Sequence, residues 1–317
     1  MASRYDVNFE SIKFVADFGC IVFRSKLKDS RFNQVSLRFY PTEFGGVEGV
    51  RHEMQWLKSI AQDTNLLTPE PLVAKDGSLV QSMPETLYDV DCFVLLSWVS
   101  GRFLYKSLTA KHLKQVGVFA GKLHNHSQRY TQDVEFPKDS LAYLPELNDW
   151  REGKCQRPEW FSDEERVVLA HAASRLLEES NDQEKRPGEY GLIHGDLHVE
   201  NFLFYRGSAG AIDFADCGWG HYIYDMASTL VYLKYPIAGY PPGSSGYDAL
   251  YTAFIHGYQS VRALSPNWDC YLERYILMRL FVMLDWMTWC WPTSDYIAWG
   301  PKARLIAISA MRKYLDA

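Results

Sequence analysis

The segment that decides the fold reads His194-Gly195-Asp196-Leu197-His198-Val199-Glu200-Asn201, and Ala211-Ile212-Asp213-Phe214 follows it. Its informative polar side chains are Asp196, Asn201 and Asp213. They could be solvated turn residues, but their neighbours are apolar, and an unpaired charge beside apolar side chains is costly to bury. Acids placed in this way are more often functional than incidental. We therefore interpret the three as parts of one site.

The residues between the two segments predict a β-hairpin. Two apolar runs flank Arg206-Gly207-Ser208-Ala209, which is typical of two strands joined by a turn. With Tyr205 opposite Gly210, the pairing returns Asp213 to the side of Asn201. The hairpin therefore brings the two acids and the amide into one cleft.

This set of side chains suits phosphoryl transfer. Mg²⁺ prefers oxygen ligands and needs only one or two from the protein when phosphates supply the others. Asp213 and Asn201 offer such oxygens. Asp196 is then available to accept a proton from a hydroxyl nucleophile, and phosphoryl transfer asks for this division between metal ligands and a base.

The segment from Gly191 to Ala227 resembles the catalytic core of the aminoglycoside phosphotransferase-like, choline-kinase-like family of small-molecule kinases. The match is a His-x-Asp-x-x-x-x-Asn loop followed by Ile-Asp-Phe. The resemblance implies a protein-kinase-like fold in which Asp196 is the catalytic base and Asn201 and Asp213 hold Mg²⁺. It also implies ATP, with GTP as an alternative, as phosphate donor and an aminoglycoside-, choline- or sugar-type hydroxyl as acceptor. Asp225 would be a buried acid that braces the catalytic loop.

The rest of the chain fits this α+β, bilobal plan. We predict an N-terminal nucleotide-binding lobe at 1–96, a hinge at 97–101, and a helical lobe over 97–317 that carries the catalytic loop. Strand-like and helix-like runs alternate in the order of a kinase N-lobe. The predicted strands are Phe14–Phe18, Ile21–Arg24, Gln34–Phe39, Leu72–Ala74, Ser78–Gln81 and Cys92–Leu96, and the predicted helix is Glu48–Ala61.

In this arrangement Arg38 lies on the third strand and Glu53 on the helix. The resemblance makes them the ion pair that positions a nucleotide phosphate, at a place where protein kinases usually carry lysine. Arginine still offers a fork of donors that matches phosphate oxygens. An unrelated surface arginine and helix glutamate is the alternative. The turn Asp17-Phe18-Gly19-Cys20 is the candidate cover over the phosphates.

The hinge follows the last N-lobe strand at Ser97, Trp98 and Val99. The resemblance implies that backbone groups there bind the adenine edge, a contact that does not depend on side-chain type. Trp98 either forms a wall of the nucleotide pocket or belongs to the core, because tryptophan serves both purposes.

Composition narrows the function further. The chain has 317 residues and a formal net charge of −6, which argues against a nucleic-acid partner because such proteins favour a basic surface. Its six cysteines show no paired spacing, as in a reduced, cytoplasmic protein. The longest apolar stretch, 275–291, is interrupted by Arg279 and Asp285, so we predict a buried helix and no membrane span.

Two further patterns were weighed for ligand binding. A zinc site on His124 and His126 is disfavoured, because residues two apart on a helix point in different directions and no cysteine pattern accompanies them. Aromatic residues near the C-terminus could form a cage for a cationic acceptor, but tryptophans at helical spacing more often pack in a core or an interface. The members of this aromatic–acidic group are Asp285, Trp286, Trp289, Trp291, Asp295, Tyr296 and Trp299.

The leading hypothesis is an ATP-dependent kinase of a small-molecule hydroxyl. The alternatives are a protein Ser/Thr kinase of the same fold and a nucleotide-binding pseudokinase that serves as a partner module. The predicted helical insertion Phe161–Ser180 argues against an open peptide groove, and the intact Asp196, Asn201 and Asp213 argue against a pseudokinase. The acceptor and the oligomeric state are left open.

Overall fold

The structure is a computed structural model of the chain. It describes residues 2–28, 30–42, 46–83, 90–130, 143–155, 157–181, 188–235, 246–289 and 294–317.

The N-terminal part is a five-stranded antiparallel sheet with one helix. Its strand order is β1-β2-β3-β5-β4, and helix α1 connects β3 to β4. The strands are β1 (Asn8–Phe18), β2 (Cys20–Lys28), β3 (Gln34–Pro41), β4 (Gln81–Ser82) and β5 (Val90–Ser97), and the helix is α1 (Gly46–Asp63).

Strand β3 shows how this sheet is built. Side chains alternate between the two faces of a strand, and here both faces are covered. Val35, Leu37 and Phe39 belong to an apolar cluster on the outer face, whereas Tyr40 packs in the cluster that includes α1. Arg38 shares the face of Tyr40 and is therefore carried into the interior. Burial of each large apolar side chain contributes roughly 1.5–3 kcal/mol, so the register that buries Arg38 is strongly favoured.

The remainder is mainly helical, with two small two-stranded sheets that pair β6 with β9 and β7 with β8. The helices are α2 (Ala110–Arg129), α3 (Tyr143–Arg151), α4 (Asp163–Asn181), α5 (Tyr222–Lys234), α6 (Gly246–Gln259), α7 (Trp268–Trp289) and α8 (Ser294–Leu315). The strands are β6 (Tyr190–Ile193), β7 (Phe202–Tyr205), β8 (Ser208–Ala211) and β9 (Gly218–His221).

The predicted hairpin forms, but its register is wrong by two residues. Tyr205 pairs with Ser208, not with Gly210. The turn contains only Arg206 and Gly207, whose φ angles of 47° and 82° suit the left-handed two-residue turn that matches strand twist. The predicted turn has four residues, whereas the observed turn has two because Gly207 adopts a positive φ.

The order of three strands, a helix and two strands in the N-lobe is confirmed, with two corrections. The predicted strand Ser78–Gln81 forms only at its last residue, where β4 begins. Leu72–Ala74 is not a strand, because only Pro71 forms a bridge to Leu96 before the chain turns at Gly77. The predicted insertion Phe161–Ser180 is confirmed as α4. Helix α3 and the β6–β9 pair were not predicted.

The fold class is α+β, with an antiparallel N-terminal sheet and a mainly helical remainder, as predicted. The apolar stretch that contains Arg279 lies in α7 as far as Trp289, and its part from Tyr275 to Phe281 is buried. Across the part of the chain that the structure describes, the helices lack the length and apolar character that a membrane crossing requires. The five cysteines described are free, and only Cys270 among them is exposed.

Candidate active site

The catalytic segment is a loop between β6 and β7 whose backbone is held by a buried acid. Asp225, at the start of α5, accepts hydrogen bonds from the backbone N–H of His194 (2.8 Å) and of Gly195 (2.9 Å). Gly195 has a φ of +82°, and a Cβ there would lie 2.1 Å from the carbonyl oxygen of Asp216. Only glycine fits this position. Asp225 is thus placed as the resemblance implied.

Histidines complete this support. His124 of α2 contacts Asp225 Oδ2 at 3.1 Å and the Tyr258 hydroxyl at 2.8 Å. Burial lowers the pKa of His124. His194 Nδ1 accepts the backbone N–H of Asp196, so its Nε2 carries the proton that it donates to the Ile212 carbonyl at 3.1 Å. These rings therefore hold the loop in place.

Asp196 is partly buried, with 20% of its side chain exposed, and both carboxylate oxygens are engaged. Oδ1 contacts Arg279 Nη2 of α7. Oδ2 lies 3.2 Å from His198 Nε2 and accepts Asn201 Nδ2 at 3.2 Å. Because His198 Nδ1 accepts the backbone N–H of Glu200, its Nε2 is the protonated nitrogen and donates to Asp196.

These donors determine the charge state of Asp196. Burial alone would raise the pKa of this carboxyl, but His198 and Arg279 outweigh it and hold the pKa well below its usual range. Asp196 is therefore an ionised carboxylate at neutral pH. An ionised carboxylate can accept a hydrogen bond from an approaching hydroxyl.

Asn201 is buried and points its amide nitrogen toward Asp196. Nδ2 donates to the Asp196 carbonyl at 2.9 Å as well as to the carboxylate. The amide oxygen is therefore the atom of this side chain that could bind a metal ion. The backbone N–H of Ile212 donates to the Asn201 carbonyl at 3.0 Å, and this bond brings the residue before Asp213 against Asn201.

Asp213 differs from Asp196 in exposure and in contacts. Its φ is +68°, a left-handed conformation that is uncommon outside glycine and asparagine or aspartate. Its side chain is 46% exposed, and Oδ1 accepts Arg38 Nη1 at 3.2 Å. Such strained backbone persists where the surrounding structure enforces it, often at functional sites. The Asp213 carboxylate thus remains partly open to solvent.

Arg38 and Glu53 lie together in the interior, as the sequence predicted. Arg38 Nη1 is 3.8 Å from Glu53 Oε1, farther than from Asp213, and the Tyr40 hydroxyl donates to Glu53 Oε2 at 3.0 Å. Burial lowers the pKa of the Arg38 guanidinium, but the neighbouring carboxylates, with Asp213 first, outweigh it and raise the pKa above its ordinary value. Arg38 is a fixed positive charge beside Asp213.

The hinge residues Ser97, Trp98 and Val99 follow directly from β5. The N–H of Ser97 donates to the Glu70 carbonyl and that of Trp98 to the Gln34 carbonyl, each within 3.0 Å. The guanidinium of Arg24 stacks over the Trp98 ring at 4.3 Å. Among the described backbone groups of the hinge, the N–H groups of Val99, Ser100 and Gly101 have no such partner, and that of Val99 directly follows the strand.

The predicted glycine turn joins β1 to β2. Gly19 has a φ of +68°, and its neighbours pair across the turn. Cys20 is buried beside Arg38 and Asp213, and burial raises the pKa of its thiol to about 11. The turn therefore lies close to the site, and its thiol is neutral.

Arg279 was missed as a site residue. The sequence reading noted it only as a charge that interrupts an apolar helix. That interruption was the available signal, because a charged side chain in a buried helix needs a partner. Its partner, Asp196, lies far away in sequence, and only the packing of α7 against α5 brings them together.

The aromatic–acidic group near the C-terminus is only partly described. The side chains of Trp289, Trp291, Asp295, Tyr296 and Trp299 lie outside the described residues. Trp286 is 38% exposed. Burial raises the pKa of Asp285. Burial also raises the pKa of Glu146 on α3, which lies near Asp285, to about 7.

The chain combines a five-stranded sheet, a linking segment and a helical part that carries an Asp–Asn loop and a second Asp. This combination defines the class of small-molecule kinases with a protein-kinase-like fold. Comparisons with known proteins agree. The sequence model of the phosphotransferase enzyme family (APH) matches residues 22–272, and the chain belongs to this family. It is an ATP-dependent kinase with an alcohol group as acceptor.

Similar proteins include further kinases. Amicoumacin kinase of Bacillus subtilis (strain 168) is 24% identical over 282 residues, which cover 88% of this chain and 80% of that protein. The structure of a microcompartment-associated aminopropanol kinase superposes with a TM-score of 0.78 at 23% identity, covering 99% of this chain and 95% of the other. Amicoumacin kinase hAmiN in complex with AMP-PNP, Ca²⁺ and Ami gives 0.75 at 19% identity, covering 97% and 91%.

Proposed function

We propose that this kinase transfers the γ-phosphate of ATP to a small-molecule hydroxyl, with Asp196 as catalytic base and Mg²⁺ held by Asn201 and Asp213. The lobes would be 1–96 and 97–317, with the nucleotide between them. One observation carries the proposal: Asn201 turns its amide nitrogen to Asp196 and so leaves its oxygen for a metal. Asn201 thereby contacts the proposed base and is also one of the two proposed metal ligands.

The donor set suits Mg²⁺. One carboxylate and one amide oxygen are the hard ligands that this ion accepts when phosphates and water complete its shell. Asp213 is half-exposed and partly open to solvent, as a ligand must be. When bound, Mg²⁺ neutralises charge on the phosphate oxygens.

The N-terminal lobe would bind the nucleotide. Arg38 is held by Glu53 and Asp213 and offers its guanidinium to phosphate oxygens. The free N–H of Val99, with carbonyls of Ser97 and Trp98 nearby, would bind the base edge. Such contacts suit either ATP or GTP as donor.

Asp196 would act on the acceptor. A hydroxyl that donates to its carboxylate is oriented for in-line attack on the γ-phosphorus. As the new P–O bond forms, the bond from the γ-phosphorus to the β,γ-bridging oxygen breaks, ADP leaves with that oxygen, and the hydroxyl proton passes to Asp196. Little covalent chemistry is required from the protein, so positioning accounts for most of the rate enhancement.

The test is a panel of hydroxyl acceptors assayed for coupled ADP release, with amino alcohols, aminoglycosides, hydroxy amino acids and neutral sugars. The wild type is compared with Asp196→Asn, and both are first shown to be folded by thermal unfolding. We expect acceptor-dependent turnover to fall by about three orders of magnitude or more in the variant.

Nucleotide binding provides the control. Asp196→Asn leaves Arg38, Asp213 and the hinge in place, so its affinity for ATP measured by calorimetry stays close to that of the wild type. Acceptor-dependent transfer that persists in a folded Asp196→Asn would exclude this residue as the base.

A further inference from the structure

We propose that Arg279 of α7 is the positioning residue for the base, because it fixes Asp196 so that one oxygen lone pair points to the acceptor. This inference rests on the proposed function, in which Asp196 accepts the hydroxyl proton. It adds a residue from a distant helix to the reaction.

The hydrogen bonds of Asp196 can be counted. Each carboxylate oxygen accepts about two hydrogen bonds. Among the described residues, Oδ2 has two donors, His198 Nε2 and Asn201 Nδ2, both at 3.2 Å. Oδ1 has one, Arg279 Nη2. The remaining position is therefore on Oδ1, and a hydroxyl that uses it lies beside the guanidinium.

Arg279 is itself held rigidly. Its side chain is 9% exposed. Nη1 donates to the Tyr224 hydroxyl at 3.3 Å, and the Tyr232 side chain lies close enough for its charge to affect the guanidinium. Tyr232 stacks on the His198 ring at a centroid distance of 5.1 Å. Tyr232 thus lies against both His198 and Arg279, which are two of the three donors to Asp196.

A purely structural role fits the location poorly. The neighbours of Arg279 on α7, Ile276 and Leu280, are fully buried and apolar. Placing a guanidinium there carries a desolvation penalty that an ion pair only repays, so an apolar residue of similar size would serve stability equally well. What an apolar residue cannot do is orient a carboxylate. A hydrogen-bond donor that contacts a reacting group from behind orients that group in this way.

The experiment compares Arg279→Met, Arg279→Lys and Arg279→Ala with a matched control, Arg274→Met. Arg274 lies on the same helix and also forms an ion pair, with Glu179 at 2.8 Å, away from the catalytic loop. We expect Arg279→Met to lower kcat about 100-fold, as small misplacement of a reacting group does. Its KM for ATP stays close to the wild-type value. Arg279→Lys, which keeps a charged donor, recovers part of the loss, and Arg274→Met keeps the wild-type kcat.

Chemical rescue separates positioning from folding. Added guanidinium ion, at concentrations below those that unfold the protein, is expected to raise kcat of Arg279→Ala and to leave Asp196→Asn inactive. A loss of folding alone would not respond in this way. If Arg279→Met does not fold, a folded Arg279→Gln replaces it, because glutamine keeps a donor but no charge.

The outcomes separate the two proposals. If Asp196→Asn is inactive while folded Arg279→Met or Arg279→Gln keeps the wild-type kcat, the inference about Arg279 is overturned and the proposed function stands. If Asp196→Asn remains active, the proposed function fails, and the role of Arg279 fails with it.

Discussion

Two carboxylates of the candidate site, Asp196 and Asp213, differ in how much the fold encloses them. Asp196 has donors on both oxygens, from Arg279, His198 and Asn201, and is 20% exposed. Asp213 has Arg38 as its described hydrogen-bond partner and is 46% exposed. The Asp196 carboxylate is therefore held by protein donors, whereas the Asp213 carboxylate is more accessible to solvent.

The difference follows from what each acid would do. A base must present one lone pair in a fixed direction. Several hydrogen bonds to the carboxylate provide that direction because they restrict its rotation. A metal ligand must give its oxygen to an ion that enters with the nucleotide, so an excess of protein donors would compete. Hydrogen-bond number thus separates two residues that are chemically identical.

The largest effect is expected when the open acid is removed. Asp213→Ala deletes a proposed metal ligand, so kcat/KM falls by about three orders of magnitude, equivalent to about 4 kcal/mol. Titration with Mn²⁺ in the presence of nucleotide, followed by electron paramagnetic resonance, measures the loss of metal binding. Asp196→Asn, in contrast, keeps metal binding, and equal metal affinity in both variants would remove the distinction drawn here.

The next effect concerns the support of the enclosed acid. Asp225→Asn replaces a fully buried carboxylate that accepts two loop N–H groups and contacts His124. The amide places a donor against donors, so the free energy of unfolding falls by about 3 kcal/mol. Urea denaturation measures it. The control is Asp163→Asn, an exposed acid paired with Arg166, for which no measurable change is expected.

A smaller effect is expected for the cation beside the open acid. Arg38→Met removes the guanidinium 3.2 Å from Asp213, and kcat/KM for ATP decreases about 100-fold. Arg38→Lys keeps the charge but loses the fork of donors, so its kcat/KM is expected to lie between those of the wild type and Arg38→Met. Arg31→Met is the control, since this arginine lies on the same lobe, is exposed, and pairs with Glu70. A wild-type kcat/KM in Arg38→Met would contradict a phosphate role.

The smallest effect is expected one contact farther out. Tyr40→Phe removes the hydroxyl that donates to Glu53 at 3.0 Å in the interior. A buried acceptor then loses a partner, and the free energy of unfolding decreases by about 1–2 kcal/mol. Thermal unfolding measures this change, while kcat stays within a factor of two or so of the wild type because the reacting groups are untouched. A large drop in kcat with unchanged stability would mean that Tyr40 acts on Arg38 directly.

The N-lobe strands and the long helices could be predicted because their residues follow the periods of a strand or a helix. The hairpin was predicted with the wrong register, since Arg206 adopts a positive φ that sequence alone did not indicate. Helix α3 was not predicted. Among site residues, Asp196, Asn201 and Asp213 lie within a short stretch of sequence. Arg38 and Glu53 were found from their elements, and the structure brings them within 3.8 Å of each other.

The sequence by itself determined the groups that are close along the chain: an acid, an amide and a second acid joined by a tight hairpin. Local turn geometry places such residues, and local geometry can be read from residue types. The tertiary structure alone decided what surrounds them. Arg279 reaches the loop from α7, and helix packing, which depends on the whole core, determines that contact.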